Sequence, residues 1–328
     1  MSGLAVTLRD VEAAQARIAG RVRRTPVLRD PLLSPRMGIP VLMKAEHRQE
    51  TGAFKLRGAT NAILSLPPEA VARGVVTAST GNHGRAVAHA ARLAGARAVV
   101  YLSRLVPQNK VAAIRDLGAE VRIGGASQDE AMVQVDRAVR EEGLTEIPPF
   151  DDPAVVAGQG TIGLEILHDL PDLDSVLIPL SGGGLAAGVA VAVKALRPSV
   201  RVVGLTMEGG AAMAASLGKG APVEVPETSS LADSLGGGIG LRNRVTFPIC
   251  RALLDEVILL TEAEIADGMR HLGGLGEMVE GAAAVGHAAL LAGRIRAAGP
   301  VVTILSGGNV DPALHARVIA GANSVEAA

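Results

Sequence analysis

Gly74-Val75-Val76-Thr77-Ala78-Ser79-Thr80-Gly81-Asn82-His83-Gly84-Arg85 passes from an apolar β-type run, through a polar turn punctuated by glycine, into a helix read as Arg85–Ala94. The rhythm returns twice. Ala98-Val99-Val100-Tyr101-Leu102 leads past Pro107 into a helix over Asn109–Leu117. Glu120-Val121-Arg122-Ile123 leads into a helix over Ser127–Glu142, with Ser127 as its cap. Strands alternating with helices build parallel sheets covered on both faces. These three units are expected to form a small domain over residues 74–151, and Pro148-Pro149-Phe150-Asp151-Asp152-Pro153 reads as the crossing back to a larger one.

Upstream, Thr7 caps a helix that stops at Gly20, Arg23–Leu28 is extended, and Val41–Glu46 is a strand. A helix runs from Lys55 to Leu66 and ends at Pro67-Pro68. Downstream come helix Ala157–Leu170, strand Ser175–Leu180, a run of glycines, helix Leu185–Leu196 and strand Val200–Leu205. Glu208–Gly240 is loop-rich. Strand Glu256–Leu260 precedes a helix opened by Thr261 and Glu264, then helix Ala282–Ala297 and strand Val301–Leu305. Residues 1–73 with 152–328 are therefore expected to make the large domain.

Composition narrows the function. A net charge of −1 over 328 residues gives no electrostatic reason to expect nucleic acid or an anionic membrane as partner. Aromatic residues make up 1%, too few for stacking platforms on single strands. One cysteine, Cys250, precludes an internal disulfide and fits a reducing compartment. The opening MSGLAVTLRD lacks a signal-peptide pattern, so a cytoplasmic protein with no membrane span is expected.

Ligands of open parallel sheets sit beyond the carboxyl ends of the strands, and three loops lie there. Ser181-Gly182-Gly183-Gly184-Leu185 offers successive N–H groups at a helix start, a cradle for phosphate or carboxylate. Its spacing is neither that of a dinucleotide fingerprint nor that of a P-loop. Ser79-Thr80-Gly81-Asn82-His83-Gly84 gathers hydroxyls, an amide and an imidazole suited to a carboxylate or phenolate oxygen; it also reads as a capped helix start. Ser306-Gly307-Gly308-Asn309 either aims a hydroxyl at a ring nitrogen or is a plain turn. Finally, Glu50-Thr51-Gly52-Ala53-Phe54-Lys55-Leu56-Arg57-Gly58-Ala59 sets a lysine between apolar neighbours. Lys55 is either a surface residue packed on Phe54 or a buried amine of lowered pKa, suited to Schiff-base chemistry. An aldehyde-seeking lysine, a phosphate cradle and hydroxyl partners together match pyridoxal phosphate.

The ordered motifs TGAFKLRGA, STGNHG, PFDDPAVVAGQGTIGLEIL, SGGGLAAG, ADSLGGGIG and SGGNVD span residues 51–311. In this the chain resembles the threonine/serine dehydratase and serine racemase family, fold type II of the pyridoxal-phosphate enzymes. The resemblance implies an α/β architecture like that of the tryptophan synthase β chain, with large and small domains each holding a mainly parallel sheet, in a homodimer or homotetramer. It implies that Lys55 forms the Schiff base, that Ser181, Gly182, Gly183, Gly184 and Leu185 hold phosphate, that Asn82 bonds the ring oxygen, that Ser306 faces the pyridine nitrogen and that Phe54 packs beside the ring. Ser79, Thr80 and His83 would bind the substrate carboxylate.

Departures from the family pattern carry information. Thr80 stands where the racemase has its opposite-face serine base, which favours elimination over racemisation. Glu208 matches the first ligand of a divalent-metal site in some relatives and Ala212 could lend a carbonyl, but Ala214 replaces the expected acid, so no metal is expected. Glu280-Gly281 replaces the usual Glu-Pro. The chain stops soon after SGGNVD, so no regulatory amino-acid-binding domain is expected. The implied reaction is α,β-elimination: Lys55 removes the Cα proton of a β-hydroxy-α-amino acid, the hydroxyl leaves, and a 2-oxo acid and ammonia follow. The phrases EHRQETGAFKLRGATNAILSL and VEGAAA are similar to the hydroxyectoine-utilisation dehydratases, implying a hydroxylated diaminobutyrate as substrate, with threonine or serine as the other reading. Glu50 or Asp233 would meet its distal amine. A nicotinamide-dependent oxidoreductase would use the glycine loop but gives no reason for Lys55.

Overall fold

A computed structural model describes residues 3–79, 81–104, 106, 108–125 and 128–326; Thr80 and the expected cap Ser127 lie outside them. Ten strands occur among these residues: β1 (Val27–Arg29), β2 (Val41–Lys44), β3 (Val75–Ala78), β4 (Ala98–Leu102), β5 (Glu120–Ile123), β6 (Thr145–Glu146), β7 (Ser175–Pro179), β8 (Arg201–Met207), β9 (Glu256–Leu260) and β10 (Val301–Ile304). They form two sheets, one ordered β1-β2-β10-β7-β8-β9 and one ordered β5-β4-β3-β6. Only β1 runs antiparallel to its neighbour. Every residue of β3, β4, β7 and β10 is buried, as expected where helices cover both faces of a parallel sheet. The fold is α/β, with two mainly parallel sheets flanked by helices.

Helix Pro153–Asp169 ties the two sheets' helices together. Its Gly158 lies so close to helix Lys55–Leu64 that an added Cβ would stand 2.7 Å from the Arg57 carbonyl oxygen. On its other side Gly188, in helix Gly184–Leu196, would place a Cβ 2.3 Å from the Val156 oxygen. The absence of side chains at these crossings lets the backbones touch. The helix that starts at Lys55 and the helix that starts at the glycine loop are thus fixed against one common rod. The outer face of helix Lys55–Leu64 buries Leu56, Ala59, Ala62 and Ile63 in the core of the smaller sheet.

Beneath Lys55 lies a quartet of buried charges. Arg57 donates from Nε and from one terminal nitrogen to the two oxygens of Glu46, both at 2.8 Å, and reaches Glu165 at 2.6 and 2.9 Å. Lys44 donates to Glu165 and to the Thr25 carbonyl, each at 2.6 Å. Two cations meet two carboxylates, so the quartet carries no net charge.

Several element boundaries differ from expectation. The helix after β3 starts at Asn82, three residues before Arg85, because its first turn is built from the same polar residues that serve in turns. Helix Pro153–Asp169 starts before Ala157, with Asp152 capping it by accepting from Val155 N at 2.9 Å. Helix Gly281–Leu291 stops short of Ala297, where Gly293 turns into left-handed backbone at φ 68°. Helices Pro68–Arg73, Thr246–Leu253 and Pro312–Ile319 are additional. No helix among the described residues is long and apolar enough to cross a membrane.

Candidate active site

Lys55 opens its helix, with Phe54 as the N-cap residue and the Phe54 N–H bonded to the Ser306 carbonyl at 3.0 Å. An antiparallel bridge joins Ala53 to Gly307. The lysine and the loop after β10 are therefore neighbours by backbone pairing. The Lys55 amine donates 2.7 Å to the Pro149 carbonyl and lies 5.3 Å from the centre of the Phe54 ring. No carboxylate faces it among the described residues. The side chain is half-buried, and its lack of solvation lowers its pKa to about 8. Such an amine supplies free base near neutrality and condenses with aldehydes.

After β7, Gly182, Gly183, Gly184 and Leu185 are buried, with Ser181 at the edge. Gly183 is the N-cap residue of helix Gly184–Leu196, with φ 89° and no side-chain cap. Its loop carbonyls face buried partners: Thr246 Oγ1 donates to Gly182 O at 2.7 Å, and Cys250 Sγ lies 3.8 Å from Gly183 O. A buried helix start without a cap leaves N–H donors that an anion would satisfy. Phe150 closes the other side, where a Cβ on Gly182 would meet its ring at 2.4 Å. Burial pushes the Cys250 thiol up to about 12, so it is no nucleophile.

The loop after β3 contributes Asn82 and His83 on the first turn of their helix. Asn82 Nδ2 donates to both oxygens of Glu280, at 2.9 and 3.1 Å, while its Oδ1 accepts from Asn309 Nδ2 at 2.6 Å. Glu280 also accepts from Asn309 N at 2.9 Å and Ser234 Oγ at 3.2 Å. Burial raises the Glu280 pKa, hydrogen bonds oppose this, and the charge of Asp233 adds to it. Ser79 is partly exposed and Ser306 is buried. The His83 ring is turned into the protein. Its Nε2 lies 2.8 Å from the Ile147 carbonyl, which can only accept, so the ring proton sits there. Burial, reinforced by the charge of Lys55, pushes its pKa down to about 3, and the neutral ring leaves Nδ1 as a lone pair. The ring thus offers no spare donor, and what His83 can give a carboxylate is its backbone N–H on the first helical turn. Glu208 is exposed, outside the one grouping of three metal-ligating residue types found among the described residues.

The segment read as a crossing and as one of the ordered motifs also builds the site. Pro149 holds the Lys55 amine and Phe150 walls the glycine loop. Asp151 accepts from Val245 N and Thr246 N, each at 2.9 Å, which fixes the helix that carries Thr246. Backbone acceptors have no signature in sequence, although the PFDDP string marked the place.

The site joins an unpaired lysine, an uncapped buried helix start and a neutral hydroxyl. The sequence model described as "Pyridoxal-phosphate dependent enzyme" matches residues 18–307. The chain belongs to that family. It is 57% identical over 318 residues to a putative threonine dehydratase of Sinorhizobium fredii, covering 96% of each chain. It is 46% identical to an L-threonine ammonia-lyase of Geobacter sulfurreducens, over 92% of this chain and 75% of that one. Maize serine racemase superposes with TM-score 0.90 at 36% identity, covering 96% of this chain and 97% of the racemase. The protein is a pyridoxal-phosphate-dependent enzyme of the threonine dehydratase type, built on fold type II. The donor set fits the cofactor, since phosphate would satisfy the uncapped N–H groups and an aldehyde would find the amine.

Proposed function

We propose that this enzyme eliminates water from a β-hydroxy-α-amino acid, releasing a 2-oxo acid and ammonia. The observation that carries the reading is the half-buried Lys55 amine, which among the described residues has no counter-ion and donates to the Pro149 carbonyl. Bound pyridoxal phosphate supplies an electrophilic carbon and a sink for charge at Cα. The remaining work falls to the chain. Lys55 is the base that takes the Cα proton. The N–H groups of Ser181, Gly182, Gly183, Gly184 and Leu185 hold phosphate. Asn82 serves both Glu280 oxygens from one side of its amide, which leaves a hydrogen for the ring oxygen, and Phe54 packs beside it. Ser306 faces the pyridine nitrogen with a neutral hydroxyl, which favours loss of a β-leaving group over prolonged Cα chemistry. Ser79 and Thr80 bind the substrate carboxylate. Residues 74–151 act as a small domain that closes on the substrate and excludes water.

For the substrate we favour a hydroxylated diaminobutyrate, with threonine or serine as the second reading, which the dehydratase relatives support. Glu50 is engaged by Arg23, whose N–H it accepts at 3.3 Å, whereas Asp233 is exposed and acts electrostatically on Glu280. Asp233 is thus the better partner for a distal ammonium. A panel of β-hydroxy amino acids, including hydroxylated diaminobutyrates, scored for ammonia release tests both points; turnover of none would sink the dehydratase reading. Chiral analysis with L-serine tests racemisation, which the likeness to serine racemase keeps as an alternative. D-serine formed at a rate comparable to pyruvate would establish it.

A further inference from the structure

Three side chains meet on the helix-covered face of the larger sheet, outside the loops that hold the cofactor. Asp30 follows β1, His271 stands in helix Glu262–Gly274, and His287 in helix Gly281–Leu291. Asp30 and His287 are fully buried, and the His271 side chain is 13% exposed. Asp30 Oδ2 lies 2.6 Å from His271 Nε2 and 3.3 Å from His287 Nε2, and one ligand atom from each residue lies within 4.8 Å of the others. The imidazole rings stack with centroids 5.6 Å apart. Although sealed from water and close to Asp30, His287 Nε2 is aligned with no hydrogen-bond partner.

The geometry points to a divalent transition-metal site of zinc type formed by Asp30, His271 and His287, separate from the cofactor. Metal bonds near 2.1 Å at tetrahedral angles set neighbouring ligand atoms about 3.4 Å apart. The Asp30–His287 spacing already meets this. The Asp30–His271 spacing opens by less than about 1 Å when an ion replaces the proton the pair shares. The surroundings orient the ligands. Asp30 Oδ1 accepts from Leu32 N at 2.9 Å and Leu33 N at 2.7 Å, and Thr303 Oγ1 lies 3.4 Å from His287 Nδ1. A proton on that Nδ1 leaves Nε2 as a lone pair facing a carboxylate, two acceptors that a cation between them reconciles. Two imidazoles with one carboxylate suit zinc or cobalt(II) rather than magnesium or calcium. His271, the least buried of the three, provides the way in.

Tag-free holoenzyme, stripped with chelator and dialysed against zinc, should retain one equivalent per chain. Cobalt(II) in its place should show visible ligand-field bands clear of the cofactor's absorption. Thr303→Val, which keeps side-chain shape, should weaken zinc binding roughly 10–100-fold, and His287→Gln more. Retention well below one equivalent, or uptake unchanged in Thr303→Val and His271→Gln, would overturn the site. Should the histidine variants fail to fold, zinc-edge X-ray absorption of the wild-type protein decides. Two imidazole scatterers support the proposal, and sulfur or oxygen-only shells overturn it.

Discussion

Lys44 and Lys55 are both drawn into the protein, and their surroundings assign them opposite work. Lys44 is fully buried but meets Glu165 and the Thr25 carbonyl, and Glu165 is shared with Arg57, itself paired with Glu46. Its charge is matched and its geometry fixed by two short hydrogen bonds, so it is held in place. Among the described residues Lys55 meets a neutral carbonyl and no carboxylate, and its pKa falls to about 8. Burial alone therefore does not make a lysine reactive. Burial without a carboxylate does, and the paired quartet below keeps the helix that presents it from shifting.

The sharpest way to break this contrast is to remove each amine. Lys55→Ala should lower 2-oxo acid release by about 10³-fold or more, the scale of a lost general base. Borohydride should no longer fix the cofactor covalently to the chain, while the melting temperature changes little. Retained turnover would show that another base operates. Lys44→Met should do the reverse. Deleting one partner of a buried ion pair costs about 3–5 kcal/mol, so the urea midpoint should fall sharply while the folded fraction keeps the cofactor spectrum of the wild type. A stable Lys44→Met protein lacking that spectrum would reverse the roles assigned here.

This difference was only half legible in the sequence. Apolar runs such as Val75–Ala78 and Ser175–Pro179 end at glycine-rich turns, so the strand–loop–helix order and the three loops could be read directly. The neighbours of Lys55 made burial an open alternative, but its only acceptor is a backbone oxygen 94 residues away, and any residue carries one. Lys44 passed as an ordinary strand residue because its partner Glu165 is 121 positions distant. Helix starts blurred where polar residues serve both turn and first turn, as at Asn82. At Pro153 the signal was present: a capping Asp152 followed by proline at the first helical position. Asp30 and His271 are 241 positions apart, and no local pattern connects them.

A smaller effect should come from the glycine loop that serves Lys55. Gly182→Ala drives a methyl into the Phe150 ring, which would be 2.4 Å away, so either the ring or the loop must shift. A strain of about 1–3 kcal/mol should weaken cofactor affinity roughly 5–150-fold, measured by titrating stripped protein with pyridoxal phosphate. Unchanged affinity would place the phosphate elsewhere.

The smallest effect is a pH slope. In cofactor-free protein the folded Lys55 titrates at about 8 against an ordinary value of 10.5. Below pH 8 both folded and unfolded chains carry the proton, and burial of the ammonium is a constant cost. Between about 8 and 10.5 the folded chain has released it while the unfolded chain still holds it, so the unfolded state binds more protons and stability rises with pH. The difference in urea midpoint between wild type and Lys55→Met isolates this group, since titrations common to both cancel. It should move in favour of the wild type as pH rises from 7 to 10. Water reaching the half-buried side chain makes the slope smaller than that of a full proton. A flat difference would mean that Lys55 keeps its solution pKa, and the distinction from Lys44 would then rest on geometry alone.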